Sequence, residues 1–171
     1  RFDKNNVGKS GIFCIFAIGK ADNIMLKRKI DSYLCSFYKS TNKSLLLTGA
    51  RQTGKSYSIR QFGKTHFKHF VEINFINQPE ATDALKGAKN SQDIIVRLSL
   101  LTDTPLVKGQ TLIFFDEVQE CPEIVTAIKF LVDEGSYRYV MSGSLLGVEL
   151  NDLRSEPVGY MDVKEMFPLE S

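Results

Sequence analysis

Leu45-Leu46-Leu47-Thr48-Gly49-Ala50-Arg51-Gln52-Thr53-Gly54-Lys55-Ser56 decides the reading of this chain. An apolar run of strand length is followed at once by G-x-x-x-x-G-K-S, and a helical pattern begins where that motif ends. Gly49 and Gly54 let the backbone curl without Cβ clashes, so that successive amides and a helix N-terminus can converge on an anion. Ala50, Arg51, Gln52 and Thr53 bridge the glycines, with Arg51 and Gln52 at its variable positions. Lys55 supplies a point charge for β- and γ-phosphates, and the Ser56 hydroxyl is placed to ligate Mg²⁺. A second Gly-Lys-Ser, Gly8-Lys9-Ser10, lacks this context: the first glycine of the pattern would fall on Asp3, and no apolar strand precedes it. It reads as a surface turn.

With 171 residues and 43% hydrophobic content, the chain has the size of one domain with a real core. Its longest apolar stretch, Gly11 to Gly19, spans nine residues, against the roughly 20 needed to cross a bilayer. No membrane association is expected. The stretch loosely imitates a secretory signal. However, the chain begins at Arg1 and its first methionine, Met25, opens a well-patterned helix. Residues 1–24 therefore read as an N-terminal extension upstream of the true start, or as part of a fragmentary gene model. Cys14, Cys35 and Cys121 form neither a metal-ligand spacing nor an even disulfide set, which suits a reducing cytoplasm.

Net charge is only +2, but residues 1–70 carry 14 Lys and Arg against 3 Asp and Glu, and residues 71–171 carry 8 against 17. A basic half can mark a nucleic-acid face. Here the basic residues are scattered and no aromatic platform accompanies them, so mutual neutralisation of the halves is the preferred reading.

Along the chain, Leu26, Ile30, Tyr33, Leu34 and Phe37 give one helical stripe over Asn23 to Lys39. Ser44 to Thr48 is a buried strand, and Gly54 to Phe62 a helix closed by Gly63. Phe67 to Phe75 alternates as a strand. Pro79 opens a short helix, and Ser91 caps the next. Thr111 to Phe115 is a buried strand, Pro122 to Gly135 a helix, Tyr137 to Met141 a strand and Val158 to Val163 a fifth. This alternation predicts an α/β fold with a parallel sheet covered on both faces. In such sheets ligands bind at the carboxyl ends of strands. The Gly49 loop, Asp116-Glu117 and Ser142-Gly143-Ser144 all fall there.

Asp116 and Glu117 close the run Leu112-Ile113-Phe114-Phe115. Asp116 can reach a Mg²⁺ held by Ser56 on a nearby element, and Glu117, on the other side of the strand axis, suits a base for a water attacking the γ-phosphate. Ser142 could hydrogen-bond that water or the phosphate; a simple turn is the alternative. Arg154 could neutralise transition-state charge here or in a neighbouring subunit, with an exposed loop arginine as the alternative. His66 and His69, read as members of one strand, would face opposite ways, which disfavours a metal site. Cys121 beside Pro122 reads as a helix-start residue.

Taken together, the Leu46 to Gly63 stretch, Phe115-Asp116-Glu117-Val118-Gln119, Met141-Ser142-Gly143-Ser144, and the Arg154 segment leading to Glu165-Met166-Phe167-Pro168-Leu169 resemble the prokaryotic AAA-like ATPases. The resemblance runs from about residue 25 to the end. It implies a P-loop NTPase core with strand order 5-1-4-3-2 and ATP with Mg²⁺ as ligands. It also implies Lys55, Asp116 and Glu117 in the roles above, Ser142 as sensor, and a domain over 25–171 truncated before a C-terminal domain. The family usually has Gly-Arg near the last motif; this chain has Leu153-Arg154.

ATP hydrolysis by a switch or motor domain is the leading expectation, with a nucleotide-binding regulatory module or a nucleic-acid-acting ATPase as alternatives. A small-molecule kinase is disfavoured because only Arg60 and Arg97 lie between the two main motifs. A GTPase is disfavoured because Asn42-Lys43-Ser44 runs into Leu45 instead of completing N-K-x-D. Beyond ATP, a homo-oligomer or a protein effector is the expected partner.

Overall fold

The structure, a computed structural model, describes residues 29–144 and 159–167. Arg154, the Gly8-Lys9-Ser10 turn and Cys14 lie outside the described residues. The elements run α1 (Lys29–Ser40), β1 (Ser44–Thr48), α2 (Lys55–His66), β2 (His69–Asn74), α3 (Pro79–Leu85), α4 (Ser91–Leu100), β3 (Thr111–Asp116), α5 (Pro122–Glu134), β4 (Arg138–Ser142) and β5 (Met161–Glu165). A short 3₁₀ turn, Val118–Glu120, links β3 to α5.

The five strands form one parallel sheet in the order β2-β3-β4-β1-β5, the 5-1-4-3-2 arrangement read from the other edge. Period-2 alternation sends neighbouring residues to opposite faces and so builds two cores. Leu45, Leu47, Leu112, Phe114 and Val140 meet α1 and α2 through Leu34, Phe37, Tyr38, Ile59 and Phe62. Leu46, Ile113, Phe115, Tyr139 and Met141 meet α3, α4 and α5 through Leu85, Leu98, Ile124, Ile128 and Leu131. β1 and β3 are buried along their whole length, which explains why their sequences are continuous apolar runs and not alternating ones. Lys43–Asp162 and Arg60–Glu72 are ion pairs that join the basic and acidic halves of the chain.

Three local expectations are corrected. Gly63 does not close α2; the helix continues to His66. A Cβ at Gly63 would lie 2.2 Å from Phe70 Cδ2, so this glycine admits a ring from β2 where helix and sheet approach closely. Asn90, not Ser91, caps α4: Asn90 is extended and its side chain accepts from the Asp93 amide at 2.9 Å, while Asp93 accepts in turn from the Lys89 amide at 3.0 Å. His66 and His69 do not share a strand, because His66 ends α2, where its ring nitrogen lies 3.4 Å from Cys35 Sγ.

Arg138, at the start of β4, closes the C-terminal end of α1. Its guanidinium donates to Tyr38 O at 3.1 Å and to Thr41 O, and stacks over the Tyr38 ring. Burial holds its pKa below the usual arginine range. Arg138→Ala is expected to leave those carbonyls without their donor and to cost about 2–3 kcal/mol. Thermal denaturation should show a drop of roughly 5–10 °C.

Candidate functional site

The sheet topology brings three strand ends to one rim. Asp116 ends β3, opposite Asn74 of β2 in the register, and Ser142 ends β4, opposite Leu47 of β1. Asp116 is only 2% exposed, and a buried carboxylate needs donors. Ser56 Oγ donates to its Oδ1 and Oδ2 at 3.1 and 3.0 Å, Asn74 Nδ2 to Oδ2 at 3.0 Å, the Glu117 amide to Oδ1 at 3.1 Å, and Ser142 Oγ to Oδ1. The Arg60 guanidinium stands 4.0 Å from Oδ2 while forking onto Glu72 through two 2.7 Å hydrogen bonds.

The loop between β1 and α2 lies beside this cluster. Gly49, Gln52 and Gly54 have φ of 141, 64 and 82°, the positive values a tight anion-cradling curl requires. Gly49 has a second reason to be glycine, since a Cβ there would sit 2.3 Å from the Met166 carbonyl oxygen just past β5. Thr53 Oγ1 closes the loop on Ala50 O at 3.0 Å. Ala50, Arg51 and Gln52 are exposed. Lys55 Nζ lies over the loop, donating to Gly49 O at 3.0 Å, Ala50 O at 2.7 Å and Thr53 Oγ1 at 3.4 Å. Burial lowers the pKa of its ammonium, and the Glu117 and Asp116 carboxylates pull it back up in part. Gly54 is the N-cap of α2, which has neither a side-chain cap nor an acidic residue in its first turn. That end of the helix is therefore positive.

Glu117 follows β3 at φ 58°, and its Oε2 accepts from Gln119 Nε2 at 2.6 Å. Cys121 is fully buried at the start of α5, and burial pushes its thiol up to about 11.

Lys55, Ser56, Asp116, Glu117 and Ser142 thus come together at one rim, with Gly49 to Gly54 around them, while Arg154 lies outside the described residues. Sequence reasoning missed Asn74, Gln119 and the Arg60–Glu72 pair. Asn74 carried a signal, being a polar residue at the carboxyl end of an alternating strand, on the same rim as Asp116. Arg60 and Glu72 carried none, since their pairing depends on how α2 lies across β2.

The residues fit a magnesium-bound nucleotide. An all-oxygen set of hydroxyls and a carboxylate, held within hydrogen-bond distance of one another, suits a hard cation. An ammonium, a glycine curl and a positive helix end suit its phosphates. Among the described residues no helix is long and apolar enough to cross a membrane.

The AAA domain family matches residues 41–171. Among solved structures, the one titled "Structure of C. elegans PCH-2" is similar at 16% identity and a TM-score of 0.48, over 84% of this chain and 43% of that one. This chain therefore spans less than half the length of that relative. No curated protein matches it.

Proposed function

The chain belongs to the AAA domain family, whose function is of the P-loop ATPase type, and on that premise we propose that residues 25–171 form a domain that binds ATP with Mg²⁺ and hydrolyses it. The observation that carries the reading is the cluster around Asp116. Ser56 and Asp116, 60 residues apart in sequence, meet at 3.0 Å beside the glycine loop, and Glu117 is tied to the same carboxylate through its own amide.

In this reading Ser56 and Asp116 hold Mg²⁺, which when bound neutralises charge on the β- and γ-phosphates. The amides of residues 49–56 surround the phosphates and Lys55 pairs with their oxygens. Glu117 accepts a proton from the attacking water, and Ser142 orients either that water or the γ-phosphate through its hydroxyl. Arg154 supplies a counter-charge from this subunit or a neighbouring one. The work driven by hydrolysis passes to a protein effector or a second copy. The domain acts in the cytoplasm.

Metal dependence tests the site directly. Titrating a fluorescent ATP analogue with Mg²⁺, then repeating with EDTA, is expected to show affinity falling about tenfold without the metal, close to 1.4 kcal/mol. Asp116→Asn should bind with the weaker affinity in both conditions. Equal affinity of the unmodified protein with and without Mg²⁺ would remove Ser56 and Asp116 from the metal site.

A further inference from the structure

We infer that Gln119 is a positioning residue for Glu117, an inference that rests on Glu117 being the base proposed above. Glu117 sits at φ 58°, a left-handed geometry that residues other than glycine seldom adopt. Something beyond local backbone preference must therefore fix its carboxylate. Its main chain is fixed by the amide bond to Asp116 Oδ1. Its side chain is held by Gln119, whose Nε2 donates to Oε2 at 2.6 Å, the short distance of a charge-assisted hydrogen bond.

Gln119 is carried on a rigid mount. It lies in the 3₁₀ turn between Val118 and Cys121, both fully buried in the core formed with α5. The turn is closed by Glu120 N to Glu117 O and Cys121 N to Val118 O, each at 3.0 Å. The other end of the amide is the decisive observation. Among the described residues, Gln119 Oε1 is buried and has no hydrogen-bond partner. Flipping the amide would set that oxygen against the Glu117 carboxylate, so the charge on Glu117 fixes the orientation and the unpaired carbonyl is the consequence. A buried acceptor left unpaired disfavours the fold, and an apolar side chain of similar size would avoid it. Gln119 is thus poorly explained by stability and well explained by what its N–H holds.

The test compares Gln119→Leu, which deletes both ends of the amide, with Gln119→His, which can still offer a ring N–H. Gln119→Leu is expected to lower kcat about tenfold or more with KM within about twofold, the signature of a misplaced group and not of lost binding. Gln119→His should recover part of that loss. The Leu variant should melt no lower than the unmodified protein, since it carries no orphaned carbonyl. It should also lose affinity for the Mg²⁺–ADP–aluminium fluoride complex, which mimics the attacked phosphate, while binding a non-hydrolysable ATP analogue as before.

A Leu variant that turns over as fast as the unmodified protein, or faster, overturns the inference, as does one that melts lower and loses both ligands in proportion. Glu117→Gln run alongside separates the two levels. If it hydrolyses ATP normally, the base assignment is wrong and the role of Gln119 falls with it. If it is inactive while Gln119→Leu is unimpaired, only the role of Gln119 falls.

Discussion

Lys55→Ala is expected to weaken Mg²⁺-ATP binding by about a hundredfold or more, from the loss of a charge-assisted contact and the dipoles it was masking. The size of the effect follows from what the ammonium touches. Lys55 Nζ donates to Gly49 O and Ala50 O, so the cation that pairs with phosphate also neutralises two carbonyl dipoles of the loop around it. Removing it subtracts one positive charge and at the same time leaves two carbonyl oxygens uncovered where anionic oxygens must come. Stability should change little, because burial already disfavours the charged form of this lysine. Isothermal titration with ATP and a thermal melt of the same sample separate the two readings. Lost binding with an unchanged melt supports the site, whereas affinity within about threefold of the unmodified protein removes Lys55 from it.

The direction of the Lys55 shift gives the pH dependence its sign. Burial lowers the pKa, so the ammonium loses its proton at a lower pH than an exposed lysine does. Binding should therefore be full below that lowered pKa and decline as pH rises through it, earlier than an unperturbed lysine would dictate. In Lys55→Ala this alkaline decline should be absent.

Much of this geometry could be read from the chain because strand ends and loop motifs are local. The Leu45–Leu47 run, the glycines and the Phe115-Asp116 junction each announce themselves within a few residues, and a parallel sheet puts them all on one rim. The five-stranded order is legible only through the family resemblance, since no local signal says that β1 lies between β4 and β5. Errors arose where a residue serves a neighbour distant in sequence. Gly63 looks like a helix stop, and only the Phe70 ring against it shows why it sits inside α2. His66 and His69 looked like one strand because the turn between α2 and β2 is only two residues long. Gln119 belongs to the Phe115–Gln119 motif, but its bond to Glu117 is not legible in the sequence, because it depends on the left-handed backbone at Glu117 and the 3₁₀ turn after it.

Glu117→Gln should give the largest change in chemistry and the smallest in structure. The amide is nearly isosteric with the carboxylate and retains an oxygen for Gln119 Nε2, and the main-chain bond from residue 117 to Asp116 Oδ1 is untouched. What it lacks is the capacity to take a proton from water at neutral pH. General-base assistance is worth about 10² to 10⁴ in rate, so kcat should fall by at least about a hundredfold while the affinity for Mg²⁺-ATP stays within a few-fold. A single-turnover experiment with labelled ATP makes the distinction: the variant should hold intact nucleotide long after the unmodified protein has released phosphate. Because Glu117 carries no part of the metal grip in this reading, EDTA should weaken ATP binding to the variant by the same factor as in the unmodified protein. A variant that releases phosphate at the normal rate would leave this rim a nucleotide-binding surface whose water is activated by some other group. The obvious one to test next is Ser142, whose hydroxyl reaches the same Asp116 oxygen as the Glu117 amide.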